Sequence, residues 1–105
     1  MNKPDEDMKL PGKELVVERI QTGVRMEKRM VKVLKALAEY LDISLGDLLE
    51  GVVLHAFDNT LPFSARTLEQ IARLKEVYGM DYGVEASHHL TESTPQMQEG
   101  KSHEV

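Results

Sequence analysis

The chain has no cysteine and no tryptophan, and only three tyrosines and two phenylalanines among its 105 residues. Without cysteine there is no disulfide framework, no thiol nucleophile and no thiolate-bound zinc site. With so few aromatics, any core is expected to be aliphatic. No run of about 18 apolar residues occurs, so no membrane-spanning helix and no membrane partner is expected. Residues 1–13 are polar and acidic and lack the apolar centre of a signal peptide, which makes a cytoplasmic location the expectation. No glycine-rich phosphate loop, no HExxH and no Ser/His/Asp arrangement in a recognisable context is present, so neither an enzyme nor a cofactor is expected. His55, His88, His89 and His103 lack the accompanying acid residues and spacing of a metal site, and none is assigned as a ligand.

What is present is unevenly distributed. The net charge is −5, which on its face disfavours nucleic acid. Yet residues 13–36 carry seven basic and three acidic groups, a local +4, while residues 37–105 carry four basic and twelve acidic groups. Phosphate attraction acts within a Debye length of about 8–10 Å, so a local basic region matters despite an acidic total. A solvated, lysine-rich helix face would show the same local balance.

The apolar content, 41%, suffices for one small domain with flanks that need not fold. Residues 1–14, with Pro4, Asp5-Glu6-Asp7 and Pro11-Gly12, read as a flexible N-terminal arm. Residues 15–60 read as the folded domain. Within it residues 20–26 alternate with period two, so that Ile20, Thr22, Val24 and Met26 share one face and Gln21, Gly23 and Arg25 the other, with Arg19 in line. From about Lys28 the period changes. Met30, Leu34, Leu37 and Leu41, widened by Val33 and Ala38, form the apolar stripe of an amphipathic helix opposite Lys28, Lys32 and Lys35. Glu27 is a weak residue for capping its start. Ser44 with Asp47 three residues on predicts the start of a second helix, with Ile43 and Leu48 placed for a hydrophobic staple. Leu48, Leu49, Val52, Val53 and Ala56 give its stripe. Residues 61–79 read as a C-terminal helix capped by Ser64 and ended by Gly79. Residues 80–105 read as a mostly flexible tail, and Tyr78, Met80 and Tyr82, around Gly79 and Gly83, read as a segment that packs onto the dimer. A lone strand followed by two helices leaves its backbone N–H and C=O groups unpaired, which implies a second copy of the chain.

The strand ending at Met26, the stripe of Met30, Leu34, Leu37 and Ala38, the turn Leu41-Asp42-Ile43-Ser44 and the stripe of Leu48, Leu49 and Val52 resemble, in order and spacing, the ribbon–helix–helix family of the Arc and MetJ type. The resemblance covers about a third of the chain. It implies a mainly α fold with one short β-strand, an intertwined homodimer with a two-stranded antiparallel ribbon, and a third C-terminal helix appended here. It further implies double-stranded DNA as partner, with the ribbon in the major groove. Carried over position by position, Gln21, Gly23 and Arg25 match the base-contacting places, with Arg25 suited to guanine and Gln21 to adenine. Arg19, Lys28, Ser44, Leu45 and Gly46 match phosphate-contacting places, the last three at a helix N-terminus. Two departures stand out. Gly23 offers no side chain at the middle reading position, and Asp42 stands where the family often has glycine.

The expectation is therefore a dimeric, sequence-specific DNA-binding protein, a transcriptional repressor. The rival expectation is an antitoxin-type or scaffold protein that binds a protein partner through residues 61–90. The acidic total, Gly23 and Glu27 favour the rival.

Overall fold

The computed structural model describes residues 14–93. They contain three α-helices, α1 (Lys28–Leu41), α2 (Leu45–Phe57) and α3 (Ala65–Tyr78), followed by one 3-10 turn at Val84–Ala86.

Each helix starts on a side chain that replaces missing backbone partners. The Ser44 hydroxyl accepts from Asp47 N at 3.0 Å, and the Ser64 hydroxyl from Thr67 N at 3.2 Å. At α1 the cap is Glu27, whose carboxylate accepts from both Arg29 N and Met30 N at 3.2 Å. Glutamate is an uncommon cap, but here one carboxylate serves two of the helix's orphan donors and sits at the positive end of its dipole.

Two helices stop in the same way. After α1, Asp42 takes the left-handed conformation at φ 64. Asp42 N then bonds to Glu39 O, and Ile43 N to Ala38 O. After α3, Gly79 does so at φ 67, with Gly79 N on Glu76 O and Met80 N on Lys75 O. This double bond pattern reverses the chain and uses up carbonyls the helix leaves unpaired. Glycine adopts that conformation without penalty, whereas aspartate does so against its Cβ.

α1 is the centre of the fold. It packs mainly on α3 and less on α2. Its Leu37, Ala38 and Leu41 form a buried cluster with Leu48 of α2, and Leu41 and Leu48 are wholly shielded, at 0% exposure. Leu34, Tyr40, Ile43, Leu45, Val52, Phe63, Ile71 and Leu74 close around it. Leu34, Leu37, Ala38 and Leu41 of the α1 stripe read from the sequence enter this core; of the α2 stripe Leu48 and Val52 do, whereas Val53 and Ala56 are exposed.

The expected architecture is corrected at its first element. Among the described residues all regular structure is helical; there is no β-strand, hence no ribbon, at 20–26. Residues 14–27 run as an irregular segment, and none of residues 14–26 takes part in a backbone–backbone hydrogen bond with a described residue. The physical reason is that a strand exists only through its ladder. Period-two alternation sorts side chains onto two faces but does not supply the second backbone. The ribbon–helix–helix fold expected from the resemblance is thereby overturned for this chain. The parts of the expected arm and tail at residues 1–13 and 94–105 lie outside the described residues.

Candidate nucleic-acid interface

The residues expected to meet DNA fall into two groups that the fold places differently. Gln21, Gly23 and Arg25 lie on the irregular segment and are exposed. A Cβ built on Gly23 would meet nothing within 4 Å. The missing side chain at that place is therefore no requirement of packing within the chain.

Arg19 is drawn to α2. Its Nε donates to Glu50 Oε2 at 2.9 Å and its Nη2 to Glu50 Oε1 at 2.7 Å, a two-pronged ion pair. That pairing raises Arg19 and holds the Glu50 carboxyl below its usual value, and Asp47 adds to the field at Arg19. Arg19 thus comes near the start of α2, where Ser44, Leu45 and Gly46 stand. The Ser44 hydroxyl is engaged by Asp47 N, Leu45 is packed against the core, and Gly46 is exposed. Asp47 puts a carboxylate in the first turn, where it already complements the helix dipole that a phosphate would use.

Arg25 goes elsewhere. Its guanidinium pairs with the Glu92 carboxylate, 67 positions along the chain. Lys28 is exposed at the first position of α1. Lys28, Lys32 and Lys35 form no ion pair among the described residues. The arginines of the basic stretch are thus engaged within the chain, and its α1 lysines face solvent.

The sequence reading missed one cluster. Glu27, besides capping α1, accepts from Tyr82 OH at 2.5 Å and from Arg29 Nε at 2.9 Å. Arg29 Nη1 donates to Gly79 O at 2.9 Å and to Asp81 Oδ1 at 3.4 Å. The Arg29 guanidinium lies over the Tyr82 ring, 5.4 Å from its centre. The Tyr82 hydroxyl, then Arg29 and the backbone donors, bring the Glu27 carboxyl down to about 2. Burial first, then the bond to Glu27, pushes the Tyr82 phenol up to about 12. Part of this is local, since an acid with an arginine two residues on can be read from the chain. Tyr82 lies 55 positions away, and no periodicity announces it.

The chain matches no family model, no curated protein and no solved structure. No three His, Asp or Glu residues among those described are grouped so as to hold a metal ion. No helix among them is long and apolar enough to cross a membrane.

Proposed function

We propose that the protein is a homodimeric, sequence-specific DNA-binding regulator of the repressor kind. The observation that carries this reading is the state of residues 14–27. The segment is exposed nearly throughout, its backbone up to residue 26 makes no backbone–backbone hydrogen bond among the described residues, and it bears Leu15, Val16, Val17, Ile20, Val24 and Met26 on its surface. Val16 is 99% exposed and Ile20 85%. Six large apolar side chains on one short segment are a liability in water unless something covers them.

α2 has the same excess. Val53, Leu54 and Phe57 are exposed, and only Leu48 of that helix is fully buried. Burying a large aliphatic side chain contributes about 1.5–3 kcal/mol, and association costs about 4–15 kcal/mol in lost freedom. Several such side chains from each protomer therefore suffice to hold two copies together. The exposed segments of the two copies then bring Gln21 and Arg25 to base edges of duplex DNA. Arg19, Lys28 and the start of α2 at Ser44, Leu45 and Gly46 lie toward the backbone phosphates. The local +4 of residues 13–36 supplies the attraction, doubled in a dimer.

A second reading has its own support. Leu61, Leu68 and Val77 are exposed, at 86%, 52% and 70%, on the 61–90 region. That surface fits an antitoxin-type or scaffold protein whose C-terminal part binds another protein.

The test is binding of a fluorescent duplex, taken from the DNA upstream of the protein's own reading frame, across a series of salt concentrations. Affinity is expected to fall steeply with salt, and Arg25→Ala to weaken it by about 1–3 kcal/mol. A dimeric sample with no salt-sensitive affinity for any genomic fragment rejects the DNA reading. A monomer at micromolar concentration in sedimentation rejects the dimer.

A further inference from the structure

We infer that residues 79–92 form an intramolecular clasp that holds Arg25 and competes with nucleic acid for it. The inference rests on the DNA reading above for its competitor, and on geometry for the clasp itself.

Two short stretches, 25–29 and 79–92, are joined by several polar contacts across 50 to 67 positions of sequence. Three contacts anchor the near end. Tyr82 OH donates to Glu27, Arg29 donates to Gly79 O, and the Arg29 guanidinium covers the Tyr82 ring. From that anchor the chain turns through Val84–Ala86 and brings the Glu92 carboxylate onto Arg25. A carboxylate on a guanidinium occupies the donors that would otherwise meet a phosphate or the O6 and N7 acceptors of guanine.

The two ends of the clasp differ in strength. At the anchor, the Glu27 side chain is only 22% exposed, and its carboxylate takes four donors. At the tip, the Arg25 side chain is 80% exposed and that of Glu92 57%. An ion pair so open to water is weak, and the segment has little apolar hold, with Val84 88% and Leu90 48% exposed. The tip therefore yields to a stronger ligand while the anchor stays. It acts as a graded competitor and not as a lock, and it discriminates against anions too weak to displace Glu92.

The experiment compares the full chain with Glu92→Gln, and with Glu69→Gln on α3 as a control of equal charge change. Affinity for a fluorescent duplex of mixed sequence is read at low salt. Glu92→Gln is expected to bind about two- to fivefold tighter, the scale of one exposed ion pair, and Glu69→Gln to change affinity much less. Equal effects of the two variants overturn the inference, because general charge then explains both.

A second measurement needs no DNA. Trypsin requires a free arginine side chain, so the ratio of cleavage after Arg25 to cleavage after Arg19 reports the clasp directly. Arg19 is held by Glu50 and serves as the internal reference. The ratio is expected to rise severalfold in Glu92→Gln, and to rise also in Tyr82→Phe, which loosens the anchor. An unchanged ratio in Glu92→Gln overturns the clasp whatever the duplex result. A raised ratio with no duplex binding by any variant supports the clasp and rejects the DNA reading.

Discussion

The helical body and the segment before it solve opposite problems. α1 and its neighbours bury Val33, Leu37, Ala38, Leu41 and Leu48, and each of the three α-helices starts on a side-chain cap. Residues 14–26 carry six large apolar side chains and bury almost none of them. The contrast teaches that hydrophobicity alone does not decide burial. α1 supplies its own backbone hydrogen bonds and so can enter a core. A segment without its own hydrogen-bond pattern cannot do so until another backbone or water satisfies it.

The strongest way to break this comparison is to remove one side chain from each region. Leu41→Ala and Leu48→Ala, at wholly shielded positions, are expected to lose about 2–5 kcal/mol of unfolding free energy in chemical denaturation. Val16→Ala is expected to change the stability of dilute protein by less than about 0.5 kcal/mol. A cost at Val16 that grows with protein concentration would place that side chain in the interface between copies. A large cost at Val16 in dilute protein would erase the distinction between the two regions.

The twin helix ends sharpen the comparison within the body. Gly79 and Asp42 share a left-handed backbone at φ 67 and φ 64. Gly79→Ala is expected to cost about 1 kcal/mol, and Asp42→Gly to gain about 0.5–1 kcal/mol, because only the second relieves a Cβ in that conformation. Thermal denaturation of both variants checks the sign. Equal signs would mean that side-chain contacts, and not backbone strain, govern these turns.

The smallest effect concerns pH and the link between the two regions. Glu27 ionises more readily when folded, near 2 against an ordinary 4.5. Its contribution is therefore complete above about 4.5 and is lost as pH falls toward 2. Tyr82 is displaced the other way, from 10.0 to about 12. Its contribution is complete below 10 and is lost as pH rises through 12. The pair should thus contribute a flat plateau between those limits. The stability difference between the wild type and Glu27→Gln is expected to shrink at acid pH, as Glu27 protonates, and again above about pH 10, as Tyr82 ionises and no longer donates to Glu27. Subtracting the tyrosine absorbance titration of Tyr82→Phe from that of the wild type is expected to leave one group with a midpoint near 12. A difference titration near 10 would remove the Tyr82 bond to Glu27 from the account.

Much of the helical body can be read directly from the chain. The stripe of Leu34, Leu37 and Leu41 has helical spacing, Ser44 and Ser64 stand where caps belong, and Gly79 stands where a left-handed residue must follow. These are local signals, each acting within a turn or two of its own residue. Glu27 does more than its place in the sequence shows, because its further uses, toward Arg29 and Tyr82, depend on what the fold brings beside it. The alternation at 20–26 predicts a strand because side-chain period is visible in a sequence, whereas the presence or absence of a ladder partner is not. The candidate DNA residues were chosen for chemistry and place in a pattern. Nothing in that pattern indicated that Arg19 would be held by Glu50 or Arg25 by Glu92.

By itself the sequence determined where helices begin and end, which residues are apolar enough to make a core, and where positive charge is concentrated. Those properties follow from capping, periodicity and counting, which need no knowledge of distant neighbours. Only the tertiary structure decided that residues 14–26 find no backbone partner among the described residues, that Arg19 and Arg25 are held by distant carboxylates, and that Tyr82 closes on Glu27. The Arg25–Glu92 and Tyr82–Glu27 contacts join residues 67 and 55 positions apart, and that of Arg19 with Glu50 on α2 joins residues 31 apart; such contacts exist only once packing of the helices has brought distant stretches together.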